Sequence, residues 1–243
     1  MQRQSHPKPV PKPMILLTRA QEASERFAAL LTLAMPDVEV IIAPLQEVRF
    51  VDWTRPDPLA DVLIFTSRNA VVAAARAGLG GLAYCVGDQT AQAAQLAGFR
   101  TISAAGDAQD LVARVLMDGP RPVWHLRGRE ARGNVAPQLR AAGFNVTERV
   151  VYDMVSLPLS GTAKSALRGP GPVLVLLFSP KSAKRAAKAL AGAKATLAIF
   201  SISEAVDDVA KGLEARARWV ALRPDADGML EIVVQVLNSG ALP

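Results

Sequence analysis

The stretch LIFTSRNAV, Leu63–Val71, decides the fold because a similar stretch, LLFSPKSAK, occurs at Leu176–Lys184. Each begins as an apolar run, continues through a small polar turn and ends with helical composition, which is typical of a βα unit. A second pair keeps nearly the same offset, since CVGDQTAQAA begins at Cys85 and IFSISEAVDDVA begins at Ile199. This internal repeat has a period near half the chain length, and it predicts two similar domains rather than a solenoid of short units.

A fainter pair of similarities divides the rest of the chain. ILLTR, which ends at Arg19, resembles WHLRG, which ends at Gly128, and segment 38–48 resembles segment 145–155. The chain therefore consists of four α/β segments in the order A, B, A′, B′. Short apolar runs alternate with amphipathic stretches, which predicts parallel strands joined by helices, including a helix over Glu204–Glu214. The expected fold class is α/β, with two similar three-layer, flavodoxin-like parallel-sheet domains.

Composition is typical of a globular protein. Of the 243 residues, 50% are hydrophobic and 21% are charged, which is enough apolar material for two cores. The longest strongly apolar run, Val173–Phe178, is far shorter than the ~18 residues of a membrane span, and we expect a cytoplasmic protein. Residues 1–13 are rich in proline and basic side chains and are expected to form a flexible tail. The single cysteine, Cys85, lies in a predicted strand and is expected to be a core thiol.

The residues just after each apolar run are the candidate ligand contacts. In open parallel sheets, ligands bind beyond the carboxyl ends of the strands, and these positions are small, polar or basic here. Hydroxyls and free N–H groups at a helix start form a receptor for anions. Each serine or threonine taken singly is also explained as a helix cap. The predicted substrate-binding residues are Arg19, Thr66, Ser67, Arg68, Asn69, Gly87, Thr90, Arg127, Gly128, Ser179, Ser182 and Ser201.

The net charge of +6 has two explanations. Basic residues along helices usually form a solvated face, and the cluster Lys184, Arg185 and Lys188 fits that explanation. The alternative is a polyanionic ligand. Nucleic acid is disfavoured because only 5% of the residues are aromatic and no nucleic-acid-binding motif occurs.

Common cofactor and catalytic motifs do not occur in the sequence. It contains no GxGxxG dinucleotide loop, no phosphate loop ending in GK[ST], no HExxH, no CxxC and no GxSxG. His6 and His125 are the two histidines, which excludes a histidine-rich metal site, and His125 is interpreted as a strand residue. We therefore expect no metal and no cofactor, and chemistry that depends on positioning and hydrogen bonds.

Several blocks, in this order, resemble the uroporphyrinogen-III synthase family. The blocks are ILLTR at 15–19, FTSRNAV at 65–71, YCVGDQTAQAAQLAGF at 84–99, LRGREARGNVAPQLRAAGFNVTERVVYDM at 126–154 and the degenerate LLFSPKSA at 176–183. The resemblance extends from Met14 to about Leu237. Their order and spacing, together with Tyr152, make the combination specific.

The resemblance implies an enzyme that cyclises hydroxymethylbilane to uroporphyrinogen III. The family's reaction inverts the terminal pyrrole ring and releases water without a cofactor, and it serves the synthesis of haem, chlorophyll and corrinoids. The substrate bears eight carboxylates, which gives a reason for the basic charge. The expected partner is this small molecule, with no nucleic acid or membrane partner, and the protein is expected to be a monomer.

The resemblance also implies domain boundaries and a catalytic residue. Domain one would combine residues 14–45 and 157–243, domain two would span 51–150, and linker strands at 46–50 and 151–156 would form a two-stranded connection. Tyr152 matches the family tyrosine proposed to assist departure of the substrate hydroxyl, because a phenol can donate a proton or a hydrogen bond to a leaving oxygen. Its alternative role is a linker aromatic with a satisfied hydroxyl.

The chain departs from the family pattern at two turns. Glu204 stands where the family often has threonine, and Ser179 and Pro180 replace the threonine and serine of the first turn.

Two other functions also stay open. A non-catalytic two-lobed binding protein for an anionic small molecule would show the same duplication. A phosphosugar or nucleotide-sugar enzyme is disfavoured by the missing nucleotide loops.

Overall fold

The computed structural model describes residues 13–55, 62–130 and 133–242. The flexible tail expected at residues 1–13 lies, apart from Pro13, outside the described residues. The described strands are β1 (Met14–Leu17), β2 (Glu39–Ile42), β3 (Gln46–Phe50), β4 (Val62–Phe65), β5 (Leu82–Cys85), β6 (Arg100–Ser103), β7 (Pro122–Gly128), β8 (Asn145–Ser156), β9 (Val173–Leu177), β10 (Leu197–Ser201) and β11 (Ala217–Val220).

All but the last of the described helices lie between two strands, and the last follows β11. They are α1 (Gln21–Ala34), α2 (Arg68–Arg76), α3 (Asp88–Leu96), α4 (Ala108–Leu116), α5 (Val135–Ala141), α6 (Gly161–Ala166), α7 (Pro180–Leu190), α8 (Glu204–Ala210) and α9 (Ala226–Asn238). None of the helices in the described ranges is long and apolar enough to cross a membrane.

Two sheets contain the strands, and their order confirms the predicted fold class. The five-stranded sheet has the order β11-β10-β9-β1-β2, and its strand pairs are parallel. The six-stranded sheet has the order β3-β8-β7-β4-β5-β6, and the pairs from β8 to β6 are parallel. Strand β3 runs antiparallel to β8, since Val51 N–H donates to the Val151 carbonyl and Leu157 N–H donates to the Leu45 carbonyl.

The strand orders explain the A, B, A′, B′ repeat. The first sheet combines β1 and β2 from segment A with β9, β10 and β11 from segment B′. The second combines β7 and β8 from A′ with β4, β5 and β6 from B. In both sheets the first strand of an A-type segment pairs with the first strand of a B-type segment, which gives the flavodoxin-like order 2-1-3-4-5.

Apolar cores lie on both faces of each sheet, as a three-layer architecture requires. In the first sheet, Leu16 packs with the α6, α7 and α8 side, whereas its neighbours Ile15 and Leu17 pack with α1 and α9. In the second sheet, Phe65 packs with α2 and α3, and Ile64 packs with α4 and α5. This alternation follows from the two-residue period of a strand.

The described chain divides into two compact units. One contains the described residues up to Glu47 and from Ser156 onward, and the other is Val48–Val155. The predicted linker strands correspond to β3 and the second half of β8. That the two units behave as separate domains stays a prediction.

One predicted helix is shorter in the structure, and the predicted burial of the cysteine is confirmed. The helix predicted over Glu204–Glu214 ends at Ala210, because the chain turns at Gly212 and the side chain of Leu213 is buried in the core. Cys85 is fully buried, and burial raises the pKa of its thiol to about 11.

Candidate functional site

The predicted site residues lie at the carboxyl edges of the two sheets, where each strand ends and the next helix begins. Those in the second unit are Thr66, Ser67, Arg68, Asn69, Gly87, Thr90, Arg127, Gly128 and Tyr152. Those in the first unit are Arg19, Ser179, Ser182 and Ser201. The predicted residues therefore form two groups, one in each unit.

Tyr152 lies on β8 beside Gly128, the last residue of β7. The two residues are register partners next to an irregularity between Arg127 and Gly128. A Cβ atom added to Gly128 would lie 2.7 Å from Cε2 and Cζ of the Tyr152 ring, so the ring packs directly on the glycine. Tyr152 is 8% exposed, and its hydroxyl makes no hydrogen bond within the part of the chain that the structure describes. The phenol is therefore held by packing while its hydroxyl stays available to a ligand.

The turn after β4 begins helix α2 with a serine cap. The hydroxyl oxygen of Ser67 accepts a hydrogen bond from the Asn69 backbone N–H at 3.2 Å. Its hydroxyl hydrogen remains to donate to a ligand. Arg68 is the first residue of α2; it is exposed and makes no ion pair among the described residues. Positive charge and hydroxyl donors thus occur together at this helix start.

Helix α3 begins at the neighbouring strand end without a side-chain cap. Its N-cap residue is Gly87, so backbone N–H groups of the first turn have no hydroxyl acceptor. Thr90 is buried, with 6% exposure, and its backbone N–H donates to the Gly87 carbonyl at 3.0 Å, which favours a structural role for this residue. Asp88 adds a carboxylate to the first turn and accepts a hydrogen bond from the Ser103 hydroxyl at 2.7 Å. This carboxylate would repel an anion at the start of α3. The prediction of binding residues from the sequence did not include this repulsion.

A group of polar side chains surrounds the end of β7. Arg127 Nε donates to Glu148 Oε1 at 2.8 Å, and Arg140 Nη1 donates to Glu148 Oε2 at 3.3 Å. Burial alone raises the pKa of Glu148, but Arg127, His125 and Arg140 outweigh it and lower the pKa below its usual value. Much of the charge of Arg127 is therefore balanced within the protein.

His125 belongs to the same group, and the strand role predicted for it is confirmed. Its side chain is 2% exposed, with Nε2 3.5 Å from Thr66 Oγ1 and Nδ1 3.7 Å from Glu148 Oε1. Burial lowers the pKa of His125 to about 4, so its imidazole is neutral at neutral pH. The sequence carried one signal for the group, the charged residue Glu148 within a strand, but its partners lie on other elements, β7 and α5.

Arg19 is the arginine among the predicted binding residues of the first unit. It follows β1, and its guanidinium lies 4.3 Å from the centre of the Phe178 ring, which follows the adjacent strand β9. Burial and the neighbouring Arg26 lower the pKa of Arg19. Stacking on the ring fixes the plane of the guanidinium while leaving its N–H groups at the edge.

The serines of the first unit are largely satisfied by protein groups. Ser179 and Ser182 form a capping box at the start of α7, and each hydroxyl donates to the other residue. Ser201 is fully buried, and its hydroxyl donates to Asp207, which also pairs with Arg218 at 3.0 Å. The backbone N–H groups of Ser179 and Ser182 also donate to each other's hydroxyl oxygens, and the Ser201 carbonyl accepts a backbone hydrogen bond. These contacts favour structural roles for all three residues.

No cluster of three His, Cys, Asp or Glu residues able to hold a metal ion occurs within residues 13–55, 62–130 and 133–242. A cavity of about 400 Å³ lies along α3 and is lined by polar side chains, including Asp88, Gln92 and Thr101. The predicted site residues thus provide hydroxyls, amides, guanidinium groups and one phenol without a hydrogen bond in the described part of the chain.

Comparison with known proteins gives a consistent result. The chain matches the family model described as uroporphyrinogen-III synthase HemD over residues 16–231. A solved uroporphyrinogen-III synthetase from Helicobacter pylori 26695 is 16% identical, with a TM-score of 0.60, over 93% of this chain and 99% of that chain. A mutant uroporphyrinogen III synthase from Thermus thermophilus is 16% identical, with a TM-score of 0.52, over 94% of this chain and 100% of that chain. At these identities the two structures demonstrate a similar fold. No curated protein sequence matches the chain significantly.

Proposed function

Because the chain belongs to the uroporphyrinogen-III synthase family, we propose that Tyr152 and the polar residues at the carboxyl edge of the second sheet act on hydroxymethylbilane. The family's activity is the cyclisation of this small molecule to uroporphyrinogen III in tetrapyrrole biosynthesis. The reaction inverts the terminal pyrrole ring and releases water. The observation that carries the residue assignment is the packing of Tyr152 on Gly128, with its hydroxyl unbonded within the described residues.

Tyr152 is proposed to assist the departure of the substrate hydroxyl. A hydroxide ion is a poor leaving group, and a phenol within hydrogen-bond reach lowers the barrier by giving the oxygen a proton or a hydrogen bond. Loss of the hydroxyl leaves an azafulvene. The substituted carbon of the terminal ring attacks it, the resulting spiro intermediate fragments, and recombination turns the ring over. Ring closure releases one proton, which restores the phenol, so the sum of these steps is loss of one water.

The substrate carboxylates are proposed to bind to helix starts and basic side chains. In the second unit, Ser67, Arg68 and Asn69 present a hydroxyl, a guanidinium and the backbone of one helix start. Gly87 would contribute its backbone N–H group, whereas the Thr90 N–H already donates to the Gly87 carbonyl. Gly128 would contribute by leaving room for the Tyr152 ring beside its backbone. Several weak donors, rather than one strong cation, suit a ligand whose charge is spread over eight carboxylates.

The first unit's predicted residues are proposed to bind in different ways. Arg19 offers charged N–H groups from a stacked guanidinium. Ser179, Ser182 and Ser201 would contact the substrate only after protein hydrogen bonds break, because their hydroxyls, and the backbone N–H groups of the first two, are directed to protein acceptors. A contribution of the Ser201 hydroxyl would require the Asp207 contact to break.

We also propose that the two units are domains joined by β3 and β8, and that the enzyme is a cytoplasmic monomer with no nucleic acid or membrane partner and no cofactor. These proposals follow the expectations from the sequence. Analytical ultracentrifugation tests the monomer, and turnover after exhaustive dialysis against a chelator tests the independence from added metal.

The experiment that tests the function is an isomer assay. Enzymatically generated hydroxymethylbilane is supplied to the purified protein, the products are oxidised, and the type I and type III isomers are separated. The expected result is type III product without added metal or nucleotide. Exclusive type I product, which arises spontaneously from the free bilane, would contradict the function. Binding of bilane without turnover would instead support the non-catalytic binding protein.

A further inference from the structure

The buried His125 and the half-buried Glu148 connect to Thr66, one of the predicted binding residues. His125 lies on β7, in register with Ile64 of β4 and with Glu148 of β8. Thr66 follows β4 directly, so its side chain lies on the same face as those of Ile64 and His125. The hydroxyl of Thr66 is 3.5 Å from Nε2 of His125, and Oε1 of Glu148 is 3.7 Å from Nδ1. The three side chains thus form a row across the sheet, from β8 through β7 to the end of β4.

The charged groups around His125 come from three elements. Glu148 is on β8, Arg127 is on β7 with the histidine itself, and Arg140 is on α5. Burial, aided by the two arginines, lowers the pKa of His125 to about 4 despite the opposing effect of Glu148. The imidazole is therefore neutral at neutral pH, with one nitrogen as donor and the other as acceptor.

The position of Glu148 decides which nitrogen carries the proton. An ionised carboxylate has only acceptor atoms, so a lone pair on Nδ1 facing it would be repelled, whereas an N–H facing it is attracted. At 3.7 Å this is an electrostatic contact rather than a hydrogen bond, and Nδ1 has no hydrogen-bond partner in the described protein. The favoured tautomer has its proton on Nδ1. Nε2 is then an acceptor, and the Thr66 hydroxyl donates to it.

We propose that His125 and Glu148 orient the Thr66 hydroxyl so that it presents an oxygen acceptor to the substrate and binds a pyrrole N–H rather than a carboxylate. The proposal rests on the function proposed above. A hydroxyl that donates its hydrogen to Nε2 can act toward the substrate only as an acceptor, and its lone pairs repel carboxylates. The adjacent Ser67 is the opposite case, since its oxygen accepts from Asn69 and its hydrogen is available. Two neighbouring hydroxyls would thus distinguish the pyrrole ring from its acidic substituents, and His125 and Glu148 are positioning residues.

The first test measures the histidine tautomer directly. Long-range ¹H–¹⁵N correlation spectra of uniformly ¹⁵N-labelled protein at neutral pH separate protonated from unprotonated ring nitrogens. The chain has two histidines, so the spectrum of His125→Gln assigns the signals of His125. Protonated Nδ1 and unprotonated Nε2 are expected. The reverse tautomer, or a charged ring, would overturn the proposal without bearing on the isomer assay.

The second test is a double-mutant cycle on kcat/KM for type III product. His125→Leu and Thr66→Val should each lower kcat/KM about tenfold, the usual value of one hydrogen bond. The double variant should be no worse than Thr66→Val alone, because the histidine acts through the threonine. His125→Gln, whose amide oxygen can take the place of Nε2, should remain within about threefold of wild type.

Additive losses in the cycle would overturn the proposal, since they would mean that His125 contributes by packing alone. Thermal unfolding of each variant shows whether it is folded, and if His125→Leu does not fold, the tautomer spectrum and His125→Gln still decide. Failure of the proposed function is distinguishable from failure of this proposal, because wild-type protein would then yield no type III product at all.

Discussion

Gly128 lies so close to Tyr152 that a Cβ atom at the glycine would be 2.7 Å from two carbons of the tyrosine ring and 2.9 Å from its hydroxyl oxygen. The two residues belong to adjacent parallel strands, and the Arg129 N–H donates to the Tyr152 carbonyl at 3.0 Å. Backbone hydrogen bonding and ring packing therefore hold the phenol at one place on the sheet edge. This arrangement gives two separate ways to disturb the proposed leaving-group step.

Gly128→Ala should displace the Tyr152 ring without removing its hydroxyl. The new methyl group overlaps the ring, and misplacement of a catalytic group by about 1 Å can cost about 100-fold in rate. We expect a kcat loss of that order in the isomer assay. Gly80→Ala is the matched control, because no atom of the described residues lies within 4 Å of the position that its new Cβ would take. Equal activity of the two variants would show that the ring position is unimportant.

Tyr152→Phe should lower kcat about 100-fold or more, because general acid assistance is lost while the ring remains. The second tyrosine of the chain supplies the control. The Tyr84 hydroxyl donates to Asp118, so Tyr84→Phe should reduce the free energy of unfolding and leave kcat unchanged. Rapid-quench kinetics measure kcat of both variants, and urea unfolding measures their free energies of unfolding. An unchanged kcat for Tyr152→Phe would remove this residue from the mechanism.

The sequence could predict the sheet edges because they depend on local patterns. The apolar run Leu63–Phe65 and the turn after it have a strand and helix-start signature that needs no distant partner. The hydroxyl of Ser67 caps α2, as the residue type alone suggests. Fold class and the places where strands end were therefore accessible from composition and spacing.

Contacts between strands were not accessible in the same way. His125 and Glu148 become neighbours only through the register of β7 with β8, and the irregularity at Arg127 and Gly128 shifts the alignment of Tyr152. Burial of Ser201 likewise depends on Asp207 and Arg218, which lie on α8 and β11. Register and burial are set by tertiary packing, and a one-residue slip reverses which side chains share a face.

Arg68→Ala should weaken substrate binding by about 1 to 3 kcal/mol, the range for a charged hydrogen bond. KM for hydroxymethylbilane should rise, with little change in stability, because Arg68 makes no ion pair among the described residues. Arg100→Ala removes another exposed charge, at the opposite edge of the same sheet, and is the control. Equal effects of the two variants on KM would indicate general attraction of the substrate by net charge.

Arg127→Ala should also destabilise the fold, since Glu148 loses its 2.8 Å partner.

Ser201→Ala should reduce the free energy of unfolding by about 1 kcal/mol, because its buried hydroxyl donates to Asp207. KM should stay at the wild-type value, because the Ser201 hydroxyl is buried and directed to Asp207. Ser203→Ala is the control, because the Ser203 side chain caps no N–H group of α8. Urea unfolding and steady-state kinetics measure both quantities. A raised KM with unchanged stability would instead make the Ser201 hydroxyl a substrate contact.

Stability should fall as the pH is lowered from about 6.5 to about 4, partly because of His125. Burial lowers its pKa to about 4 in the folded protein, whereas an unfolded histidine has a pKa near 6.5. Between these values the unfolded chain binds more protons, so the folded state is favoured fully above pH 6.5 and loses this advantage as the pH falls. The full effect is about 3 kcal/mol.

His125→Gln isolates this contribution, because the variant keeps His6 and every carboxylate of the chain. Urea unfolding at pH 7 and at pH 4.5 should show a larger loss of stability for wild type than for the variant. Glu148 acts in the same direction, since its lowered pKa also makes the folded state lose stability in acid, and part of that lowering comes from His125. Parallel pH dependence of the two proteins would mean that the histidine becomes charged in the fold without cost, and that the neutral tautomer has no special stability.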